Sequence, residues 1–540
     1  MRIKISNTDL SGIIAEIMKG HKISDICISP GSRNTPLIQA FTSDKYFNNY
    51  SHIDERISGF FALGQSKITK KPSVIVTTSG TAVANLLPSV IEADLSMTPL
   101  IILSSDRPKK LIKTGENQTI NQYKIFDNFI RNKIHIESPF QSEDILIKKI
   151  NSIICIANGA NHNKASGPVH INIAFDEPLL DKKTNIKIKI INNKISYIPK
   201  KINLPKFKKP IIVCGQLDST DYYNKIIALS KQFNAPIFAD TISQVRLWKK
   251  HSNIMCHYDF YIDKIDDNPD IIIRFGKKPT SKKLNNFLKK LKNKIYLVSN
   301  HMRYNDDAKN SIHTLDLINN HNADKNWFEY IKKFESKISE LLNKYLNDTN
   351  FFEGNIIASI IRNCKKKDNL FIGNSLIVRN LEKYCTNTNQ KINIFTNRGA
   401  SGIDGIISTA MGVASKNYNS RNILIIGDVS FYYDLNALIL NKNKINLAII
   451  IINNNGGQIF STLDYKNKIR NFDKFLITKT DIKIKNICKL LSIKYNRLSS
   501  IKMIHAKLNS IINKKGIKII EVKCDITKTL KIEKNIKKER

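Results

Sequence analysis

Two polar turns in the last third of this chain have the residue types and spacing for metal–phosphate chemistry. Leu424-Ile425-Ile426 runs into Gly427-Asp428, and Leu447 to Ile452 runs into Asn453-Asn454-Asn455-Gly456-Gly457. A carboxylate and an amide oxygen therefore follow two short apolar runs, 454 − 428 = 26 residues apart. One carboxylate, one amide oxygen and a nearby backbone carbonyl form an oxygen-only donor set, which suits Mg²⁺ when phosphate and water complete its shell. Gly456 and Gly457 would let backbone approach a phosphate with no Cβ in the way. Taken singly, each turn reads more readily as a solvated loop. Together, after two buried runs, they read as a metal–phosphate site.

Other candidates also follow apolar runs. Ser29-Pro30-Gly31-Ser32-Arg33-Asn34 combines hydroxyls, free N–H groups and a cation before a helical pattern, a good anion site. His52-Ile53-Asp54-Glu55-Arg56 places Glu55 at a helix start, where a carboxylate alone reads as a favourable dipole charge. Ser79-Gly80-Thr81, Ser105-Asp106-Arg107-Pro108, Gly115 to Gln118, Asn374 to Arg379 and Asn397 to Gly405 are further polar loops. GKKPTSKK at 276–283 is a cationic cluster that reads equally as a solvated face.

The elements that must position these residues are strands and crossover helices. The first helix is expected over 8–20, with Thr8 as N-cap and Gly20 as its stop. Strand ends near 29, 52, 78 and 104 recur about every 25 residues, the rhythm of a parallel sheet, so their polar loops should share one edge. Another strand is expected at 168–174. A second set of strands falls at 210–214, 236–239, 270–275 and 295–299, followed by a charged helix at 325–347. A third falls at 370–372, 393–396, 423–426, 447–452 and 518–523, with a short helix at Asp434 to Leu440 completing a βαβ unit between the two metal-site turns. Lys182 to Pro210, rich in Lys, Asn and Pro, reads as a linker. The expected division is 1–185, 186–350 and 351–540, with no clear sequence repeat among the parts.

The 540 residues exceed what one core supports. Lys and Arg total 86 against 46 Asp and Glu, a net +40. These lysines are spread along the whole chain with no basic arm or aromatic stripe, so nucleic-acid binding is not expected. No run approaches the roughly 18 apolar residues of a membrane span. The eight cysteines are scattered without C-x-x-C pairs, and the N-terminus lacks a signal-peptide pattern, so cytoplasmic residence without membrane insertion is expected.

Seven segments in order, SPGSRNTPL, HIDERISGFFALG, TTSGTAVANLLPSVIEA, SSDRP, GENQTINQ, NRGASGIDG and NNNGGQIFS, resemble the SEPHCHC synthases, thiamine diphosphate enzymes of menaquinone biosynthesis. The family's diphosphate signature begins Gly-Asp-Gly and ends Asn-Asn; here Val429 replaces the second glycine. The resemblance implies an α/β, three-domain thiamine diphosphate-binding fold, each domain a mostly parallel sheet flanked by helices. The first domain would bind the pyrimidine and the third the diphosphate, with active sites formed between subunits of a homodimer or dimer of dimers. It implies decarboxylation of 2-oxoglutarate and 1,4-addition of the succinyl unit to isochorismate.

The resemblance also assigns roles. Glu55 would hold the proton at the pyrimidine N1′. Asp428, Asn454 and the Gly456 carbonyl would bind Mg²⁺ or Mn²⁺, with Gly427 and Ser430 also at the cofactor. Ile403 would be the apolar wedge that bends the cofactor, although by itself it reads as core packing. Ser375, Arg379, Arg398 and Gln118 fit positions around the oxoglutarate-derived part, and Ser32, Arg33, Arg107 and Lys282 those around isochorismate. Asn117, Ile459 and Phe460 complete the expected substrate contacts. The family's Lys-Arg pair in the middle domain stands here as Lys282-Lys283, and lysine supplies charge without the planar fork of arginine.

Overall fold

The computed structural model describes residues 5–137, 142–159, 165–181, 202–217, 220–299, 306–312, 317–318, 323–440 and 442–540. Most of the expected linker, 182–201, lies outside these residues, as does the expected boundary at 185. The chain forms two compact units. One comprises Met1–Tyr197, Asn397–Tyr418 and Tyr433–Ile445, and the other Ile198–Thr396, Asn419–Tyr432 and Asn446–Arg540.

The first unit is built on six parallel strands: β1 (Asp25–Ile28), β2 (Asn48–Ser51), β3 (Ser73–Thr77), β4 (Leu100–Asp106), β5 (Asn132–Glu137) and β6 (Pro168–Ala174). Their order is β2-β1-β3-β4-β6-β5. β1, β3, β4 and β6 are buried at every residue, as expected of parallel strands covered on both faces. Because all six run the same way, the polar loops after β1, β2, β3, β4 and β6 do share one edge.

The first helix, Asn7–Gly20, is capped by Ser6 and not by Thr8: the Ser6 hydroxyl accepts from Asp9 N–H. Thr8 lies in the first turn, where its N–H and hydroxyl donate to Asp181. In the same unit, helix Glu55–Thr69 crosses helix Ile406–Ser415 at van der Waals contact of the backbones. A Cβ on Gly64 would lie 2.0 Å from the Thr409 carbonyl oxygen, and one on Gly412 2.0 Å from that of Phe61.

The second unit carries two six-stranded parallel sheets and a two-stranded ladder of β7 (Ile202–Asn203) with β14 (Leu317–Ile318). One sheet contains β8 (Pro210–Cys214), β9 (Ile237–Ala239), β10 (Ile254–Met255), β11 (Ile271–Phe275), β12 (Ile295–Val298) and β13 (Asn310–Ile312), in the order β10-β9-β8-β11-β12-β13. The other contains β15 (Asn369–Ile372), β16 (Asn393–Thr396), β17 (Asn422–Gly427), β18 (Leu447–Asn453), β19 (Lys494–Arg497) and β20 (Ile517–Lys523), in the order β16-β15-β17-β18-β20-β19. This last order, counted from its first strand, repeats that of the first unit's sheet. The sequence shows no such repeat.

Neighbouring strands β17 and β18 pair in parallel with Gly427 opposite Ile452, so the two metal-site turns emerge side by side. The connection between them differs from expectation. A helix begins at Asp428 itself and runs to Tyr433, and the expected helix at Asp434 to Leu440 is one 3₁₀ turn, Leu435–Leu438. Asp434 is buried where the α-helix stops and accepts from Ser408 N–H and its hydroxyl, which draws the chain away from helical continuation.

Candidate active site

In the second unit the structure brings Asp428, Asn454 and Gly456 together. Asp428 is buried, and its Oδ2 accepts from Gly456 N–H at 2.7 Å while Oδ1 accepts from Val429 N–H at 3.0 Å. Gly456 has φ +116°, and a Cβ there would lie 2.3 Å from the Ile477 carbonyl oxygen, so only glycine makes this turn. Beside Asp428, a Cβ on Gly427 would meet nothing within 4 Å, which leaves room for a ligand at the strand end.

Burial pushes the Asp428 carboxyl up to about 6. Among the described residues no lysine, arginine or histidine is ion-paired with it. A buried acid held only by backbone N–H groups, next to an amide and a glycine turn, fits a divalent cation that supplies the missing positive charge. Asn454 adds to this fit, because its Nδ2 donates to Glu353 Oε1 at 2.7 Å and its carbonyl oxygen remains as an acceptor. Ser430 is buried two residues along the helix from Asp428, and Ile459 and Phe460 lie half-buried on the 3₁₀ turn Gln458–Thr462.

Helix Leu376–Tyr384 in the same unit starts from Ser375, which has φ +66°, an unfavourable region for a non-glycine residue. The Ser375 carbonyl accepts from Arg379 Nη1 at 2.7 Å. Lys282 is exposed at the first position of helix Lys282–Lys290, whereas Lys283 pairs with Asp263 at 3.1 Å, a carboxylate that also takes Arg540. The Lys283 charge is therefore already met within the protein.

In the first unit, Glu55 is half-buried and opens its helix, with Asp54 as N-cap accepting from Arg56 N–H. One Glu55 oxygen accepts from Asn85 Nδ2 at 3.0 Å. On the same sheet edge Arg33 is buried, donating to the Phe175 carbonyl and to Glu177, both at 3.2 Å. Burial, and after it the neighbouring Arg107, lowers the Arg33 pKa. Two close guanidinium groups, with Arg107 Nε buried and lacking a hydrogen-bond partner, make an anion-seeking edge. Ser32, Asn117 and Gln118 are exposed on loops of this unit, and the Gln118 backbone lies against Gly80.

The NRGASGIDG loop also belongs to the first unit and is pinned from below. Glu92 Oε1 accepts from Gly399 N–H at 3.0 Å and from Lys67 Nζ at 3.3 Å, and Oε2 accepts from Ala400 N–H at 2.7 Å. This anchors the segment that carries Arg398 and Ile403. Ile403 is 38% exposed, so it is not core packing in this chain.

Models of the thiamine pyrophosphate enzymes match three stretches: the N-terminal TPP binding domain at residues 8–125, the middle domain at 181–372 and the C-terminal TPP binding domain at 378–522. A protein of Listeria innocua named 2-succinyl-5-enolpyruvyl-6-hydroxy-3-cyclohexene-1-carboxylate synthase is 32% identical over 549 residues, covering 95% of this chain and 94% of the relative. A Staphylococcus aureus protein of the same name is 33% identical over 507 residues, covering 90% and 89%. The chain belongs to the SEPHCHC synthase family.

As a member of this thiamine diphosphate enzyme family it carries the expected α/β architecture, with three six-stranded parallel sheets. The SEPHCHC synthase resemblance did not single out Glu353, Asn85, Lys67 or Glu92. Asn85 and Glu92 stand inside a quoted motif, TTSGTAVANLLPSVIEA, and could have been found there as polar residues in an otherwise small and apolar helix. Glu353 opens a helix after Phe351-Phe352, where the sequence offers only a dipole-compatible charge.

Proposed function

We propose that this protein is a thiamine diphosphate-dependent transferase that decarboxylates 2-oxoglutarate and adds the succinyl unit to isochorismate, giving 2-succinyl-5-enolpyruvyl-6-hydroxy-3-cyclohexene-1-carboxylate for menaquinone biosynthesis. The observation that carries the reading is the buried Asp428, clasped by Gly456 N–H beside Asn454, in a chain that aligns over nearly its whole length with enzymes of that name. Mg²⁺ or Mn²⁺ would be held by Asp428, the Asn454 carbonyl oxygen and the Gly456 carbonyl. When bound, thiamine diphosphate supplies a carbon nucleophile and an electron sink through which a 2-oxo acid loses CO₂.

Glu55 holds and returns a proton at the cofactor pyrimidine, and a carboxylate suits this because it shares a proton with a weakly basic ring nitrogen. Asn85 occupies one Glu55 oxygen as an N–H donor and so orients the other. Arg33 and Arg107 bind carboxylate on the first unit's sheet edge, the class of group that isochorismate carries twice. Arg379, Ser375 and Arg398 are assigned to the carboxylates of 2-oxoglutarate. Guanidinium groups meet carboxylates through charge-assisted, paired hydrogen bonds, which offset the cost of desolvating two dianionic substrates.

The proposed assembly is a cytoplasmic homodimer or dimer of dimers. It is supported by apolar side chains left uncovered in the first unit, with Ile53 71% and Ile439 47% exposed on either side of a shallow pocket. Sedimentation velocity tests the assembly. The activity is tested by CO₂ release from 2-oxoglutarate and from pyruvate, with thiamine diphosphate and Mg²⁺. Preference for 2-oxoglutarate supports the reading, and faster turnover of pyruvate overturns the substrate assignment.

A further inference from the structure

Glu353 is a fully buried carboxylate that no expected role in cofactor or substrate binding explains. It is the first residue of helix Glu353–Arg362, and its backbone N–H donates to Thr529 Oγ1 at 3.3 Å. Its Oε1 accepts from Asn454 Nδ2 at 2.7 Å, with the Cys524 thiol at 3.9 Å. Its Oε2 accepts from Asn380 Nδ2 at 2.9 Å. Both oxygens are thus committed to side-chain amides on different elements, one in the turn after β18 and one in helix Leu376–Tyr384.

An ionised carboxylate only accepts hydrogen bonds. It therefore selects the NH₂ end of each amide and fixes which way each one faces. For Asn454 this leaves the carbonyl oxygen as the end open to a cation. For Asn380 it fixes the helix one residue beyond Arg379, on the element that starts from Ser375.

We propose that Glu353 is a positioning residue, which aims the Asn454 carbonyl oxygen at the divalent cation and ties that site to the helix carrying Ser375 and Arg379. The inference rests on the reading of Asp428, Asn454 and Gly456 as the cation site. Replacing Glu353 by Gln keeps the shape but gives one acceptor and one donor where there were two acceptors. Asn454 and Asn380 then cannot both donate to it, and an Asn454 that turns over presents N–H to the cation. Partners that orient metal ligands in this way are typically worth about 10- to 100-fold in metal affinity.

The test uses the full-length protein with thiamine diphosphate and Mn²⁺ as a paramagnetic probe, reading bound against free Mn²⁺ by electron paramagnetic resonance. The same preparations give the thermal unfolding midpoint without cofactor and KM for 2-oxoglutarate. Glu353→Gln is expected to weaken Mn²⁺ binding at least about tenfold while the cofactor-free midpoint stays close to that of the unaltered protein. Asn380→Ala is expected to raise KM for 2-oxoglutarate and leave Mn²⁺ affinity nearly unchanged, because the Glu353–Asn454 bond survives. It also keeps the inference testable if Glu353→Gln does not fold: an unchanged KM, or loss of Mn²⁺ affinity equal to its loss of stability, overturns the proposed link. Full Mn²⁺ affinity in Glu353→Gln overturns the positioning role alone. Unaltered protein that binds no Mn²⁺ with thiamine diphosphate overturns the cation-site reading, and this inference with it.

Discussion

Val429 is where the diphosphate signature departs from the family pattern, and the structure gives a physical reason why the departure is tolerated. The residue lies in helix Asp428–Tyr433 and contributes its backbone N–H to Asp428 Oδ1 at 3.0 Å. Any residue type except proline supplies that donor from a helical backbone, so a glycine is not required there, whereas Gly456 at φ +116° has no substitute. Asp428 and Asn454 were legible because each ends a buried apolar run. Glu353 was not, because a charge at a helix start is common and only the tertiary structure shows its partners. Glu55→Gln should retain cofactor yet lose about 10²–10⁴-fold in turnover, the usual worth of a positioned proton donor or acceptor. Cofactor binding by fluorescence alongside steady-state kinetics checks this, and near-normal turnover would remove Glu55 from the mechanism. Arg107→Ala should cost about 2–5 kcal/mol in kcat/KM for isochorismate, the range for stripping one partner from a desolvated charge pair. A loss below about tenfold would place Arg107 outside the pocket.

Interior strands were readable, whereas edge strands were read only in part: β2 and β16 were expected, and β5, β10, β13 and β19 were not. β3, β4, β17, β18 and β20 are almost continuous Val, Ile and Leu, because neighbours cover both faces. β5 (NKIHIE) and β19 (KYNR) stand at the ends of their sheets, where half their side chains meet solvent, and no apolar run marks them. Polar anchors between elements were equally invisible. Arg246, fully buried, donates to Glu382 Oε1 at 2.7 Å and to the carbonyls of Glu382 and Cys385, while the other Glu382 oxygen takes Thr241 N–H. Arg246→Met should destabilise the second unit by about 3–5 kcal/mol by leaving Glu382 buried and unpaired, read as an earlier denaturation midpoint. Glu92→Ala should have an effect of similar size through the stranded Lys67. It should also raise KM for the substrate that Arg398 binds, since the NRGASGIDG loop loses both N–H acceptors; an unchanged KM would separate the anchor from the site.

Across the whole molecule, the repeated strand order of the first unit's sheet and of the last sheet is a property of topology, which hydrophobic pattern does not encode. Strands were therefore legible without their winding. The +40 charge is carried by lysines and arginines that ordinarily stay protonated from pH 4 to 7, so stability changes over that range come from carboxyl and imidazole groups. Burial lowers His52 to about 4 and His170 to about 3, both below the 6.5 of a free imidazole. The folded state then binds fewer protons than the unfolded one, so stability is full above pH 6.5 and falls as pH drops toward 4. For His52 alone the loss is about 3 kcal/mol by pH 4. Buried Asp428 and Asp434, pushed up to about 6 and about 7, bind protons in the folded state over the same range and oppose this loss. The histidine contribution is therefore read by difference: His52→Gln with His170→Gln should gain thermal midpoint relative to the unaltered protein between pH 7 and 5, and parallel profiles would assign the pH response to other groups. Mass spectrometry of a reaction containing the protein, thiamine diphosphate, Mg²⁺, 2-oxoglutarate and isochorismate should show the succinylated cyclohexene carboxylate only when both substrates are present. Release of CO₂ from 2-oxoglutarate with no such product would contradict the assigned acceptor, and no reaction by cofactor-loaded protein would contradict the assigned activity.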